Sequence, residues 1–273
     1  MSAMPSMQVN GTTLHVEVDG PEDAPVLVLS HSLFFDHRMY DAQVAGLAAT
    51  HRVVRYDHRG QGSSARAPRA ELDMDTLTDD AAALIEALGL GPVTFYGNSM
   101  GGFVALRLAA RRPDLVAGVV VACSSAATEG SIAEFDPLVT ALGEHGITPV
   151  VDIVAHIMLG DTTLTDPARA ELLASTRAHF ATLDRDIADA AWQVVHRAEI
   201  TGELPGIGVP ALVIAGTEDH AYPVALSEEI ARLVPGADLV VVDGAGHSVA
   251  CEQPERVNAL LTDFAARTAP VPG

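Results

Sequence analysis

Short, mostly apolar runs recur along the chain and are separated by stretches with helical spacing. Each run is too short for a buried helix, and continuous apolar character is typical of a strand that is buried on both faces of a sheet. The predicted strands are residues 26–29, 52–56, 93–96, 116–122, 211–215 and 239–242. The first of them follows residues 7–18, which alternate as a hairpin would and contain the turn dipeptide Asn10-Gly11.

Apolar residues at helical spacing lie between these runs. The predicted helices are residues 39–47, 74–88, 103–109, 227–233 and 254–267. Strands that alternate with helices imply parallel pairing through right-handed crossovers, with helices on both faces of the sheet. The pattern therefore predicts an α/β protein with a mostly parallel, doubly wound sheet.

The alternation breaks between residues 124 and 205. This segment shows helical spacing over residues 149–159, 167–180 and 187–200, and it contains the only tryptophan, Trp192. We interpret it as a helical cap inserted into the α/β domain. The predicted organisation is a first core part (1–123), the cap (124–205) and a second core part (206–273).

The strand at 93–96 leads into Gly97-Asn98-Ser99-Met100-Gly101, a G-x-S-x-G sequence, and then into a helix. A strand that reverses into a helix within a few residues needs unusual backbone angles, which glycines permit. Such a turn would expose the Ser99 hydroxyl and place the Met100 amide at a helix N-terminus, where negative charge is favoured. An exposed hydroxyl beside an anion site is suited to acyl transfer.

Two later strands end in polar loops. Asp219 follows the strand at 211–215 and His247 follows the strand at 239–242, so both should emerge at the same sheet edge as Ser99. Serine needs a base to accept its proton, and the imidazole needs a carboxylate to fix its tautomer. Glu218 and Glu129 are the alternative carboxylates, and we favour Asp219.

Other polar residues near these loops are interpreted as structural. His220 is expected to be a loop residue, and Asp57 and Arg59 are expected to stabilise a turn. His31 is expected to shape the loop beside the anion site rather than to act as a base.

Charge and composition exclude several function classes. The 273 residues carry a formal net charge of −20, and all 16 basic residues are arginine. Without lysine, Schiff-base chemistry and a phosphate-binding P-loop are excluded. The acidic surface disfavours nucleic acid and anionic membranes as partners.

The sequence also shows no recognisable targeting segment or metal-binding motif. Cys123 and Cys251 have neither disulfide-framework nor metal-site spacing, and no Cys/His cluster indicates a metal. No signal peptide or membrane span is recognisable, so we expect a cytoplasmic protein, which is compatible with a homo-oligomer.

The motifs together resemble the α/β-hydrolase superfamily over nearly the whole chain. They are H-S-L-F from residue 31, D-H-R-G-Q-G-S-S, G-N-S-M-G-G, G-T-E-D and G-A-G-H-S with E-Q-P-E. The order Ser99, Asp219, His247 is the order of that fold. Within it, the segments L-S-H-S-L-F-F and R-V-V-R-Y-D-H-R-G-Q-G are similar to those of the 3-oxoadipate enol-lactonases.

This resemblance implies an enzyme that hydrolyses a small carboxylic ester or lactone, in aromatic catabolism and without a cofactor. It implies that Ser99 is the nucleophile, His247 the base and Asp219 its orienting carboxylate. It also implies that the amides of Leu33 and Met100 form the oxyanion hole.

Departures from the enol-lactonase pattern affect the acyl pocket. His31 stands where those enzymes usually have asparagine, and Phe34 replaces a glycine beside the pocket. The alternatives left open are a C–C bond hydrolase, a thioesterase, a cofactor-free perhydrolase, and a ligand sensor that hydrolyses slowly.

An enol-lactone of this group carries a free carboxylate, which needs a cation when it leaves water. Without lysine, that cation must be an arginine or a protonated histidine. The cap offers Arg169, Arg177, Arg185 and Arg197. We favour Arg185 and Arg197, because they flank Trp192, a candidate pocket wall; the alternative is that they are solvated charges on helix faces.

Overall fold

Nine β-strands are present in the computed structural model, which describes residues 6–268. They are β1 (Met7–Val9), β2 (Thr12–Leu14), β3 (Val16–Asp19), β4 (Val26–Ser30), β5 (Arg52–Tyr56), β6 (Val93–Asn98), β7 (Val116–Ala122), β8 (Ala211–Gly216) and β9 (Asp238–Val242). Seven of them form one sheet in the order β3-β5-β4-β6-β7-β8-β9. Only β3 runs antiparallel within it, so the predicted mostly parallel sheet is confirmed.

The N-terminal hairpin is shorter than predicted. β1 pairs with β2, and the turn between them has positive φ at Asn10 and Gly11 (44° and 72°). The chain then leaves the hairpin, and β3 pairs with β5 in the main sheet. The alternating pattern of residues 7–18 therefore belongs to strands of two different sheets. These strands alternate because each is only partly buried.

Eleven α-helices surround the sheet in the described residues. They are α1 (Asp41–Leu47), α2 (Met74–Ala87), α3 (Met100–Arg111), α4 (Ile132–His145), α5 (Val151–Met158), α6 (Asp161–Thr165), α7 (Ala170–Phe180), α8 (Ile187–Val195), α9 (Val224–Leu233), α10 (Val249–Glu252) and α11 (Pro254–Thr268). None of them is long and apolar enough to cross a membrane.

Five of these helices, α4 to α8, lie between β7 and β8 in the chain. The helical patterns at 149–159 and 167–180 correspond to short 3₁₀ turns followed by α5 and α7. The predicted helix 187–200 is too long, since α8 ends at Val195. Neither α4 nor α6 was predicted. Residues 1–5 and 269–273, at the ends of the two predicted core parts, lie outside the described residues.

The six parallel strands place the loops that follow them at one edge of the sheet. β4, β6, β7 and β8 are buried along nearly their whole length, as their apolar runs require. Loops that follow parallel strands emerge at the carboxyl edge, where ligands bind in open α/β sheets. The loops after β4, β5, β6, β7, β8 and β9 carry the residues described next.

Candidate active site

Ser99 occupies a sharp turn between β6 and α3. Its backbone has φ 54° and ψ −113°, a strained conformation for a residue with a side chain. A Cβ atom on Gly97 would lie 2.0 Å from the Gly101 carbonyl oxygen, and one on Gly101 would lie 2.0 Å from the Ser30 carbonyl oxygen. Both flanking positions therefore require glycine, and the turn is packed so tightly that it fixes Ser99.

The backbone amides of Leu33 and Met100 are the candidates for an oxyanion hole. The Met100 amide is the first of α3, and Leu33 lies in the loop after β4. Within residues 6–268, neither amide donates a hydrogen bond to another protein group. The neighbouring Phe34 has φ 70°, and Cys123, directly after β7, has φ 48°. Strained backbone is thus concentrated in the loops around Ser99.

His31 holds the loop that contains Leu33. Its Nδ1–H donates to the Ser32 carbonyl oxygen at 2.8 Å, and its Nε2 accepts from the His58 amide at 3.0 Å. These bonds require a neutral imidazole, and burial lowers the pKa of His31 accordingly. A histidine whose two nitrogens are both engaged in this way shapes the loop and is not available as a base.

The His247 imidazole is paired with the Asp219 carboxylate. Its Nδ1 lies 3.0 Å from each oxygen of Asp219, and both side chains are buried. Asp219 also accepts hydrogen bonds from the amides of Ala221 (2.9 Å) and Tyr222 (2.8 Å). The Asn98 side chain donates to the His247 carbonyl oxygen at 2.9 Å. The residue before Ser99 thus anchors the histidine loop.

The alternative carboxylates are engaged elsewhere. Glu218 accepts hydrogen bonds from the amide and hydroxyl of Thr162, both at 2.7 Å, at the start of α6. Glu129 is paired with Arg197 and does not contact His247. Asp219 is therefore the carboxylate that the structure brings to His247.

The residues interpreted as structural lie outside this group. Arg59 forms a buried bidentate pair with Asp80, and Asp57 accepts hydrogen bonds from the amide and ring of His37, both at 2.7 Å. His220 pairs with the exposed Asp161 at 3.2 Å.

Glu252 is a positioning residue that sequence reasoning did not single out. One of its oxygens accepts hydrogen bonds from the amides of Gly246 (3.0 Å) and Ser248 (3.2 Å), on either side of His247. The other accepts from the Gly160 amide (2.9 Å) and the Thr163 hydroxyl (2.7 Å). Burial raises the pKa of this carboxyl group. Its place in the E-Q-P-E motif, five residues after His247, was the available signal.

A cavity lies between these loops and helices α4, α5 and α8. It encloses about 530 Å³ of empty space, including its mouth, and Ser99 and His247 both line it. The remaining lining is mostly apolar. It comprises Leu33, Phe34, Glu129, Phe135, Leu138, Val139, Leu142, Ile157, Met158, Ala191, Val194, Val195, Ala221 and Tyr222. This is a site for a small and largely apolar molecule.

Of the four predicted pocket residues, Phe34 lines the cavity and the other three do not. Trp192 is half-buried and stacks on His196 at 4.2 Å, and Arg185 is exposed. Arg197 is buried and paired with Glu129. None of these three lines the cavity, which corrects the expectation that they form its wall. The spacing of residues along a helix does not show which side of that helix faces the cavity.

The other two cap arginines are engaged elsewhere. Arg169 donates to the Glu252 carbonyl oxygen at 3.0 Å, and Arg177 pairs with Asp152 at 3.0 Å. Three groups of His, Asp and Glu side chains have ligand atoms within 4.8 Å of one another, and they include no residue that lines the cavity.

This fold and site define a family. The chain belongs to the alpha/beta hydrolase family, whose model matches residues 27–260. The match confirms the resemblance drawn from the motifs. It makes the protein a member of a hydrolase family with the fold described above.

Relatives and solved structures agree with this assignment. The 3-oxoadipate enol-lactonase 1 of Acinetobacter baylyi is 30% identical over 254 residues, which are 93% of each chain. The proposed carbamate hydrolase RutD of Agrobacterium fabrum is 27% identical, over 92% of this chain and 97% of the relative. The crystal structure of the enol-lactonase from Burkholderia xenovorans LB400 is 34% identical with a TM-score of 0.88, over 96% of this chain and 100% of that one.

Proposed function

We propose that this protein is a serine hydrolase that cleaves a small carboxylic ester or lactone through an acyl-enzyme intermediate. The observation that carries the proposal is the joint placement of Ser99 and the His247–Asp219 pair. The serine lies on a strained turn at the head of α3, and it shares one cavity with a histidine whose Nδ1 is held by a buried carboxylate. This arrangement supports nucleophilic attack on a carbonyl carbon.

The first step forms the acyl-enzyme. The Ser99 hydroxyl oxygen bonds to the carbonyl carbon while its proton passes to Nε2 of His247, because Nδ1–H is held by Asp219. The carbonyl oxygen becomes an oxyanion opposite the amides of Leu33 and Met100. The carbon–oxygen bond then breaks, and the leaving oxygen takes the proton from His247.

The second step releases the acid. A water molecule gives its proton to the same histidine and bonds to the acyl carbon, and Ser99 recovers its proton as the tetrahedral intermediate collapses. The named activities of the relatives support this chemistry, since hydrolysis of an enol-lactone and of a carbamate both begin with attack at a carbonyl carbon. The volume of the cavity favours a small acyl group.

Ser99→Ala tests the proposal. We expect the variant to lose labelling by a fluorophosphonate and to hydrolyse a short 4-nitrophenyl ester at least about 10³-fold more slowly than the wild type. The control is Ser125→Ala, which removes another buried serine at the same sheet edge and should keep both activities. Labelling that persists in Ser99→Ala, or a single turnover without steady-state hydrolysis in the wild type, would contradict the proposed enzyme.

A further inference from the structure

The cavity contains one ionic side chain besides the histidine. Glu129 is the only lining residue, among those the structure describes, that carries a carboxylate or guanidinium group. It follows β7 and is nearly buried. A substrate that enters the cavity therefore meets apolar walls and one acidic residue, and the charge state around Glu129 decides which acyl groups can be accommodated.

Glu129 is fully satisfied by protein donors. One oxygen accepts hydrogen bonds from the Arg197 guanidinium (3.0 Å) and the Tyr222 hydroxyl (3.2 Å), and the other accepts from the Ser131 amide (3.0 Å). The carboxylate has no need of a ligand cation. It neutralises the one arginine that is buried next to the cavity.

Arg197 is committed to this pairing. Its side chain is 2% exposed, and the Nη1 that bonds to Glu129 also donates to the Val194 carbonyl oxygen at 2.9 Å. The guanidinium carbon lies 4.3 Å from the centroid of Phe103 and 5.3 Å from that of Tyr222. These contacts hold the cation behind the cavity wall, where Glu129 balances its charge, although Arg197 Nε is buried without a hydrogen-bond partner.

We infer that the acyl pocket selects neutral, apolar acyl groups and rejects acyl groups that carry a carboxylate, and that the Glu129–Arg197 pair sets this selectivity. A second carboxylate in the cavity would lose its hydration without gaining a cation, and it would lie beside another anion. The inference rests on the proposed function and narrows its substrate class. It separates this chain from a lactonase that acts on a dicarboxylic acid derivative.

The wild-type protein gives the first test. The substrates are 4-nitrophenyl pentanoate, mono-4-nitrophenyl glutarate and the methyl ester of that glutarate, which share the leaving group, while the two glutarates differ in charge. We expect kcat/KM for both neutral esters to exceed that for the anionic ester at least about 100-fold. A ratio below about 10-fold overturns the inference.

Failure of the proposed function would look different. In that case none of the three esters would be hydrolysed and the fluorophosphonate would not label Ser99. If instead all three esters are hydrolysed at similar rates with Ser99 labelled, the serine hydrolase stands and the inferred selectivity is wrong.

Glu129→Gln gives the second test, because glutamine keeps the size of the side chain, and its one carbonyl oxygen can still accept from Arg197 and Tyr222. Arg197 then has an unbalanced charge, and we expect the ratio of kcat/KM for the anionic ester to that for its methyl ester to rise at least about 10-fold. The double variant Glu129→Gln/Arg197→Gln should lose this gain.

Tyr222→Phe is the matched control. It removes one hydrogen bond from an uncharged donor to the same carboxylate and leaves both charges, so the ratio should change by less than about twofold. An unchanged ratio in Glu129→Gln, or the same rise in the double variant, overturns the role of the pair. Should Glu129→Gln not fold, as judged by circular dichroism, the wild-type ratio decides alone.

Discussion

At the scale of single residues, two adjacent carboxylates in the loop after β8 point to different parts of the molecule. Asp219 is bonded to the His247 ring, and Glu218 is bonded to Thr162 at the start of α6. The two consecutive side chains in this turn therefore have separate partners. One loop therefore orients the candidate base and also attaches a helix of the segment between β7 and β8.

The two carboxylates should respond differently to neutralisation. Asp219→Asn should reduce kcat/KM for a neutral aryl ester by up to about 10⁴-fold without unfolding the protein, because the imidazole loses its preferred tautomer. Glu218→Gln should reduce it by less than about 10-fold, since its partners are an amide and a hydroxyl outside the cavity. If the larger loss were seen in Glu218→Gln, our choice of carboxylate would be wrong.

Residues at strand ends could be located from the sequence, whereas residues on the helices between β7 and β8 could not. Ser99, Asp219 and His247 each follow a strand of a parallel sheet, and sheet geometry brings such positions to one edge. The pocket side of a cap helix depends instead on distant partners. Arg197 is held behind the cavity wall in a pair with Glu129, 68 residues earlier, and no local spacing indicates that pairing.

At the scale of elements, the turn between β6 and α3 tolerates no side chain at its flanks. Gly97→Ala should lower the free energy of unfolding by about 3 kcal/mol or more, because its Cβ would overlap the Gly101 carbonyl oxygen at 2.0 Å. Gly208→Ala is the matched control, since no atom lies within 4 Å of a Cβ there and its φ is not positive. Urea denaturation of both variants makes the comparison. Equal effects would show that the turn has room to relax.

Strands were easier to predict than the helices between β7 and β8. β7 begins and ends where its apolar run does, because a strand buried on both faces has no polar position to blur the pattern. Helix α4 was missed because it contains Pro137 and because its apolar residues serve another purpose. Phe135, Leu138, Val139 and Leu142 line the cavity, so its pattern reflects a binding surface as well as a packed core.

At the scale of the whole molecule, the helices between β7 and β8 are attached to the loops that surround Ser99. The attachments are hydrogen bonds from Thr162 to Glu218, from Gly160 to Glu252, and between His179 and the Phe34 carbonyl oxygen. Each connects one of these helices, or its first turn, to a loop or short helix at the sheet edge. The same contacts therefore fix the position of these helices relative to the candidate catalytic loops.

Stability should depend on pH through His37. Burial would lower the pKa of His37, but its hydrogen bond to Asp57 and the charge of that carboxylate outweigh burial and raise the pKa above its usual 6.5. Pairing then stabilises the fold at pH values below about 6.5, and the contribution is lost as the pH rises through the folded value. The Tm deficit of His37→Asn should be largest near pH 6 and about 2 °C smaller near pH 9.

The exposed His145 provides the control, because His145→Asn should change Tm equally little at both pH values. A deficit of His37→Asn that grew with pH would show that the neutral imidazole contributes more than the ion pair.

The positive φ angles of Phe34, Ser99 and Cys123 set limits on how this protein can be improved. All three lie in loops at the carboxyl edge of the sheet, so the backbone there is less relaxed than elsewhere in the fold. A selection for thermal tolerance would favour glycine at such positions, since glycine relieves the strain. The same replacement would loosen the loop proposed to form the oxyanion hole or remove the proposed nucleophile. Substitutions that raise stability at these few positions would therefore be expected to lower activity.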